Sequence, residues 1–255
     1  MDKFFKNSFI VCCLMLLCSL SFAGLSVNPS VINVKGVPGS GYKNAYSLTS
    51  TYENPVTVVL EISKGNCFSG NKDVDVNDWL KFEKTEFNLK PGETVKVPYE
   101  VLINDNMKGS LCGRVSFAAQ QSSMINLSIS VPIYVIVEGT ENIDFEISSL
   151  SLNINSNDGS LYYKMTIKNN GNVHIRHSGR IQIYSTKNKK KVKTVPIEES
   201  VPTYCESSRD FNGIIPNLED GKYVALFVVN ALDNKVTKQV KFKIKNNEIK
   251  ILKIK

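Results

Sequence analysis

The sequence predicts an all-β protein made of two consecutive immunoglobulin-like β-sandwich domains behind a cleaved signal peptide. Apolar residues alternate with other residues along most of the chain, and the longest such row runs from Ile125 to Val137. A period of two is typical of strands with one buried face. Turns such as residues 90–92 (Lys-Pro-Gly) and 169–171 (Asn-Asn-Gly) separate the rows. Many short strands at even spacing favour a sandwich or a barrel.

The first 23 residues are predicted to be a signal peptide. Lys3 and Lys6 give it a positive start, and residues 9–17 form an apolar core that is too short to span a bilayer. Residues 21–23 (Ser-Phe-Ala) fit a small-x-small cleavage pattern, so the mature chain is expected to begin at Gly24. We therefore expect a protein exported across the inner membrane to the periplasm or the cell surface.

The two predicted domains cover residues 24–139 and 140–255. Each contains seven predicted strands, as an immunoglobulin-like sandwich does, and no stretch has convincing helical periodicity. The strands of the first domain are predicted over residues 25–35, 43–49, 56–63, 79–88, 93–103, 110–120 and 124–137. Those of the second are predicted over residues 143–154, 161–169, 174–184, 192–198, 208–214, 221–230 and 236–245.

Composition indicates a globular protein, and the lack of catalytic motifs argues against an enzyme. The chain is 42% hydrophobic and 22% charged, as a globular protein is, and its net charge of +7 comes from lysines spread along its length. This favours a solvated surface over a nucleic-acid site. No nucleophile elbow, phosphate-binding glycine loop or pair of zinc-binding histidines occurs. We expect no catalytic residue and no cofactor.

Three of the six cysteines lie outside the signal peptide. Cys67 and Cys112 fall at the end of the third strand and the start of the sixth, which are antiparallel neighbours in this fold. A disulfide between them would close a loop of about 45 residues and contribute about 4 kcal/mol in the chain-entropy model. Cys205 is left as a buried thiol or an intermolecular link. The cysteines are far apart in sequence and no histidine stands beside them, so no metal site is expected.

The two histidines, His174 and His177, are not expected to form a metal pair, because residues three apart in a strand point to opposite faces. Trp79, the only tryptophan, is interpreted as a core residue rather than a carbohydrate platform.

The strand predicted over residues 124–137 is the strongest functional candidate. It is unusually long, and Pro132 cannot donate to a ladder, which indicates an edge strand or a bulge. A long apolar edge invites aggregation unless a partner covers it, and β-augmentation would let a partner strand pair with it. Alternatively, the row simply fills its own core. The residues predicted to bind a partner are Ile129, Val131, Ile133, Val135 and Val137.

A second candidate surface is a lysine-rich hairpin tip between residues 184 and 192. Its lysines could contact an anionic polymer, or they could simply be solvated. The lysines concerned are Lys187, Lys189, Lys190 and Lys191.

The first domain resembles the N-terminal domain of periplasmic pilus-assembly chaperones. The likeness lies in residues 26–29 (Ser-Val-Asn-Pro), 46–50 before Asn54-Pro55, 87–93, and the long alternating strand that closes the domain. The second domain resembles bacterial envelope proteins with chaperone-like sandwiches, through residues 167–174, 179–183, 207–211 and 221–225.

This resemblance implies a chaperone-like protein whose partner is an exported subunit of a pilus-like or envelope structure. Chaperones of that family anchor the client's terminal carboxylate with an arginine in the first strand and a lysine in the last strand of domain one. Ser30 and Pro132 stand at those positions here, so this cationic anchor is not expected. The alternative function is a structural or adhesive envelope module that binds a surface protein or an anionic polymer.

Overall fold

The structure is a computed structural model. It describes residues 24–65, 67, 71, 73–120, 127–155, 158–197 and 201–255. The predicted signal peptide and residues 124–126 of the predicted long strand therefore lie outside the described residues. No helix in the described part of the chain is long and apolar enough to cross a membrane.

The described residues form seventeen strands and one short helix. In the first half of the chain these are β1 (Leu25–Asn28), β2 (Ile32–Gly36), β3 (Gly41–Ser50), β4 (Val56–Lys64), α1 (Val76–Trp79), β5 (Leu80–Phe82), β6 (Glu86–Leu89), β7 (Thr94–Leu102), β8 (Gly109–Gln120) and β9 (Ser128–Val137). The second half contains β10 (Phe145–Ile154), β11 (Leu161–Asn169), β12 (Ser178–Ser185), β13 (Lys191–Ile197), β14 (Ser208–Ile215), β15 (Gly221–Ala231), β16 (Asn234–Lys245) and β17 (Glu248–Ile254).

Two sandwiches follow one another along the chain, which confirms the predicted fold class. In the first, a sheet of order β1-β3-β7-β5 faces a sheet of order β2-β9-β8-β4-β6. In the second, β10-β11-β14 faces β13-β12-β15-β16-β17. Each pair of sheets encloses its own apolar core, centred on Tyr46 and Phe117 in the first and on Phe227 and Phe242 in the second. Trp79 is also buried in the first core, as predicted.

The first predicted strand, residues 25–35, is two strands in different sheets. β1 pairs with β3, whereas β2 pairs in parallel with β9. The break falls at Pro29, which has no N–H to give to a ladder. The chain can therefore cross from one sheet to the other, and this crossing is what brings β2 beside β9.

The prediction of one strand over residues 79–88 was also wrong. The segment contributes the end of α1, then β5 in one sheet and β6 in the other. Asp75 caps α1: its side chain accepts the N–H of Asn77 at 2.7 Å, and the side chain of Asp78 in turn accepts the N–H of Asp75. A single helical turn is too short to show a 3.6-residue period, so the sequence pattern did not reveal it.

The last strand, β17, was not predicted. It forms a hairpin with β16 across Asn246 and Asn247, whose φ angles of 52° and 58° are both positive. Two left-handed residues match the twist of a two-residue hairpin, and asparagine tolerates that conformation. The Asn-Asn pair is the local signal from which the hairpin could have been predicted.

Candidate partner-binding site

Strand β9 has two halves with different neighbours. On one side it pairs with β8 over its whole length. On the other it pairs with β2, but only from Ile133 to Val137. Among the described residues, no strand pairs with this second side between Ser128 and Pro132. We call this segment, Ser128–Pro132, the open edge.

The ladder determines which backbone groups the open edge presents. The carbonyl of Leu127 accepts the N–H of Ala119 on the β8 side at 2.8 Å, and the register between β8 and β9 is unbroken. Because bonding directions alternate along an antiparallel strand, the amides of Ile129 and Val131 face β8. Those of Ser128 and Ser130 face outward, and Pro132 presents only its carbonyl.

The side chains predicted to bind a partner are placed unequally. Val131, Ile133, Val135 and Val137 are at most 1% exposed and belong to the first core. Ile129 is only partly buried and packs against the edge of that core. In this structure the inward row therefore fills its own sandwich, and what the open edge offers is mainly backbone together with Ile129.

The outward face of β9 also divides at Pro132. Tyr134 contacts residues of the second sandwich: its ring centroid lies 4.8 Å from that of His174, and its hydroxyl lies 3.3 Å from the hydroxyl of Tyr204. Ile136 packs against the second core. Burial first, and the neighbouring Tyr204 hydroxyl second, raise the pKa of Tyr134 to about 12, so this phenol stays protonated. The paired half of β9 thus pairs with a strand on both sides and contacts the second sandwich with its outward face.

A cleft opens beside the other half of the strand. Its cationic residue is Arg114, an exposed side chain on β8 directly opposite Pro132. Arg176 lies close by, with its guanidinium 5.5 Å from the centre of the Tyr134 ring. The residues lining the cleft are Gly65, Cys112, Gly113, Arg114, Ser130, Pro132, Tyr134 and Tyr204.

Neither Ser30 nor Pro132 carries a charge, but the fold places a cation beside one of them. Pro132 does lie in the cleft, and Arg114 is its cross-strand neighbour. Ser30 is exposed in a bend between β1 and β2. A sequence alignment compares residues at equivalent positions of the same strand. It cannot reveal a charged residue, such as Arg114, that lies opposite such a position on the neighbouring strand.

The predicted disulfide Cys67–Cys112 is present, with a Cα–Cα distance of 5.3 Å. It joins the segment after β4 to β8, which are neighbours as expected. Gly65 lets the two segments approach, because a Cβ there would lie 2.8 Å from the Cβ of Cys112. Cys205, which is outside the disulfide, is buried in the same small apolar cluster as the bridge.

The two histidines have separate surroundings. The Nδ1 of His174 lies 2.8 Å from Ser110 Oγ on β8. His177 packs edge-on against Phe211, and its Nε2 lies 3.3 Å from Thr203 Oγ1. Burial lowers the pKa of each ring to about 4, with a smaller contribution from a nearby arginine, so both are neutral at physiological pH. No histidine stands beside a cysteine in the sequence, but the fold brings a ring nitrogen of His174 within 4.8 Å of the sulfurs of Cys67 and Cys112.

The lysine-rich tip lies between β12 and β13 in the second sandwich. Its side chains are all exposed, and Lys189 adopts a left-handed φ of 56° at the turn. Nothing in the structure shows what these lysines contact, so an anionic partner remains a prediction for Lys187, Lys189, Lys190 and Lys191.

No protein-family model matches the chain, and no curated protein matches its sequence. Solved structures resemble it at low identity. One is the chaperone CfaA of class 5 fimbriae, at 17% identity and a TM-score of 0.47, covering 87% of this chain and 100% of that one. Another belongs to a chaperone–tip adhesin complex of CFA/I fimbriae biogenesis, at 17% identity and a TM-score of 0.45, covering 85% and 98%.

A third is from the CsuC–CsuE chaperone–tip subunit pre-assembly complex of Acinetobacter baumannii, at 11% identity and a TM-score of 0.44, covering 85% and 98%. These solved structures include the same class of protein that the sequence motifs resemble. At such identities the likeness is one of fold, and it assigns no client to this chain.

Proposed function

We propose that the protein is an exported, chaperone-like binding protein that supports assembly of a pilus-like or envelope structure by pairing a client's strand with the open edge of β9. The observation that carries this proposal is the open edge itself, Ser128–Pro132. It is the only part of β9 whose second side no described strand pairs with, and it precedes the half, Ile133–Val137, that pairs with both β8 and β2.

The chemistry of the open edge suits a strand. Main-chain groups of Ser128 and Ser130 point outward and can pair with any extended backbone. Leu127 is 39% exposed, and Ile129 packs against the edge of the first core. They offer apolar contact to alternate side chains of an added strand, which is how β-augmentation gains specificity.

The cleft supplies a second contact. Arg114 stands at the end of the open edge, on the face that Ser130 and Pro132 share. A guanidinium binds a carboxylate through two parallel hydrogen bonds. We infer that Arg114 binds a carboxylate of the client, such as its chain terminus, and so sets the register of the paired strand.

The proposal is tested by copurification of the protein with an exported subunit that is unstable alone. The informative change is Ser130→Pro, which removes one outward N–H, and Ser130→Ala is the matched control that keeps it. We expect Ser130→Pro to weaken capture by about tenfold, since an unsatisfied partner carbonyl costs about 1–3 kcal/mol. Ser130→Ala should capture normally.

The carboxylate contact has its own variant pair. Arg114→Gln should weaken capture, whereas Arg180→Gln, an exposed arginine on β12 in the second sandwich, should not. Full capture by the Ser130→Pro protein, with its fold intact by circular dichroism, would rule out pairing at the open edge. Equal behaviour of the two arginine variants would remove Arg114 from the site while leaving the strand pairing to be judged by Ser130.

A further inference from the structure

Three potential metal ligands lie together where the two sandwiches touch, and a fourth is in the same apolar cluster as two of them. Cys67 and Cys112 come from the first sandwich, and His174 and Cys205 come from the second. All four are buried, with exposures between 3% and 7%. The ligand atoms of Cys67, Cys112 and His174 lie within 4.8 Å of one another, and Cys205 is in the same apolar cluster as both bridged cysteines.

The donor set is that of a soft or borderline cation. Thiolate sulfur and imidazole nitrogen are the ligands that zinc takes in structural sites, four at a time and tetrahedrally. With zinc–sulfur bonds of about 2.3 Å, neighbouring sulfurs of such a site lie about 3.7 Å apart. The bonded sulfurs of a disulfide lie about 2.05 Å apart, so reduction would release them to reach the wider spacing, with a ring nitrogen of His174 within 4.8 Å of both.

The ring of His174 is already oriented. Ser110 Oγ lies 2.8 Å from Nδ1 and also accepts the backbone N–H of His174 at 3.0 Å. When Nδ1 carries the ring proton it donates to that oxygen, and Nε2 keeps its lone pair. Histidines that ligate metals are generally held by such a bond at the second nitrogen.

We propose that reduction of the Cys67–Cys112 disulfide converts this junction into a binding site for one zinc-like ion, with Cys67, Cys112 and His174 as ligands and Cys205 as the fourth. A phosphine supplies the two electrons: the S–S bond breaks, the phosphine is oxidised to its oxide with the oxygen of one water molecule, and the two protons of that water complete the two thiols. Metal binding then displaces the thiol protons into solvent. The same residues thus hold either a disulfide or a metal.

The consequence is mechanical. The disulfide links two segments of the first sandwich only. A bound ion would link the first sandwich, through Cys67 and Cys112, to the second, through His174 and Cys205. Metal binding should therefore stabilise the contact between the sandwiches, which the disulfide does not cross.

The test uses the full mature chain, reduced with a phosphine and titrated with Zn²⁺ against a chromophoric chelator, with native mass spectrometry for stoichiometry. We expect one Zn²⁺ per reduced chain and none per oxidised chain. His174→Gln should weaken binding at least about tenfold, and Ser110→Ala by about tenfold, as loss of a supporting bond does. His177→Gln is the matched control, because it replaces the other buried histidine, whose ring packs against Phe211 and lies beside the Thr203 hydroxyl.

Cys205→Ser separates three ligands from four: weaker binding assigns the fourth position, and unchanged binding restricts the site to the other three. Folding of each variant is followed by circular dichroism. Two results would overturn the proposal. One is a folded, reduced parent chain that takes up no Zn²⁺, and the other is a His174→Gln chain that binds it as tightly as the His177→Gln chain. A reduced parent that unfolds and is not refolded by Zn²⁺ also overturns it.

Discussion

Two sheet edges of this protein expose backbone in different ways. β17 lies at the end of its sheet and pairs only with β16. It carries Lys250 and Lys253, which stand opposite Lys243 and Lys241 on β16, and its register is interrupted by a bulge. The open edge of β9, Ser128–Pro132, has no charged residue and its pairing with β8 is regular.

Lysines and bulges are devices by which proteins keep edge strands from pairing with other chains. β17 has both, even though Ile251, Leu252 and Ile254 are partly exposed there. The open edge has only Pro132, which removes a single donor and leaves its carbonyl. Because one edge is protected and a regular, uncharged edge is left exposed, we expect the exposed edge to pair with a partner's strand. This supports strand addition at β9.

The largest effect should come from placing a charge in the paired half of β9. Ile133→Lys puts an ammonium into the first core, where the residue is fully buried, and should cost several kcal/mol of unfolding free energy, about 4 kcal/mol. Ile129→Lys, at the margin of that core, should cost about 1 kcal/mol because its ammonium can reach solvent. Urea denaturation of both variants measures this. Similar losses would mean that the two halves of β9 are not distinct.

A smaller effect is expected when the open edge is given the protection that β17 has. Ser130→Lys places a charge on an exposed position without touching the core. Client capture should fall about tenfold while the unfolding free energy changes by less than about 0.5 kcal/mol. Lys253→Ser on β17 serves as the comparison and should leave capture unchanged. A Ser130→Lys protein that captures its client normally would show that an uncharged edge is not required.

Sequence patterns predicted the inward row of β9 because alternation reports burial directly. They could not show that a second strand pairs with β9 only from Ile133 onward. The division comes from β2, about 100 residues earlier in the chain, and from Tyr204, 70 residues later than Tyr134. Both contacts are tertiary, and a local period carries no information about which half of a strand is covered.

Sequence patterns were limited in the same way at the contact between the two sandwiches. Cys67 and Cys112 were paired correctly because strand order in a sandwich is known in advance. His174 was missed, since its distance from the sulfurs depends on how one sandwich packs against the other. The only sequence feature near His174 is the turn at residues 169–173. In the fold this turn contacts the first sandwich, where the carbonyl of Asn172 accepts the N–H of Ser110.

Removing the protection of β17 should have a modest effect. Lys250→Ser with Lys253→Ser takes away two cross-strand charges and leaves the partly exposed Ile251, Leu252 and Ile254. We expect a concentration-dependent rise in dimer, measured by size exclusion with light scattering. Lys189→Ser with Lys190→Ser makes the same change of charge at the hairpin tip and should remain monomeric to the same extent as the parent. Dimerisation of both would point to net charge rather than to the edge.

The smallest effect on capture and folding is expected from reversing charge at the hairpin tip. Lys189→Glu with Lys190→Glu changes two exposed side chains, so the unfolding free energy should move by less than about 0.5 kcal/mol. Because the tip belongs to β12 and β13 of the second sandwich and the open edge to β9 of the first, client capture should be unchanged. Retention on an anionic polymer should fall, and the loss should shrink as salt rises. Capture and retention measured on the same preparation therefore separate the two functions. Loss of client capture in this variant would show that the client binds the hairpin tip. The proposal that the client pairs with the open edge of β9 would then lose its support.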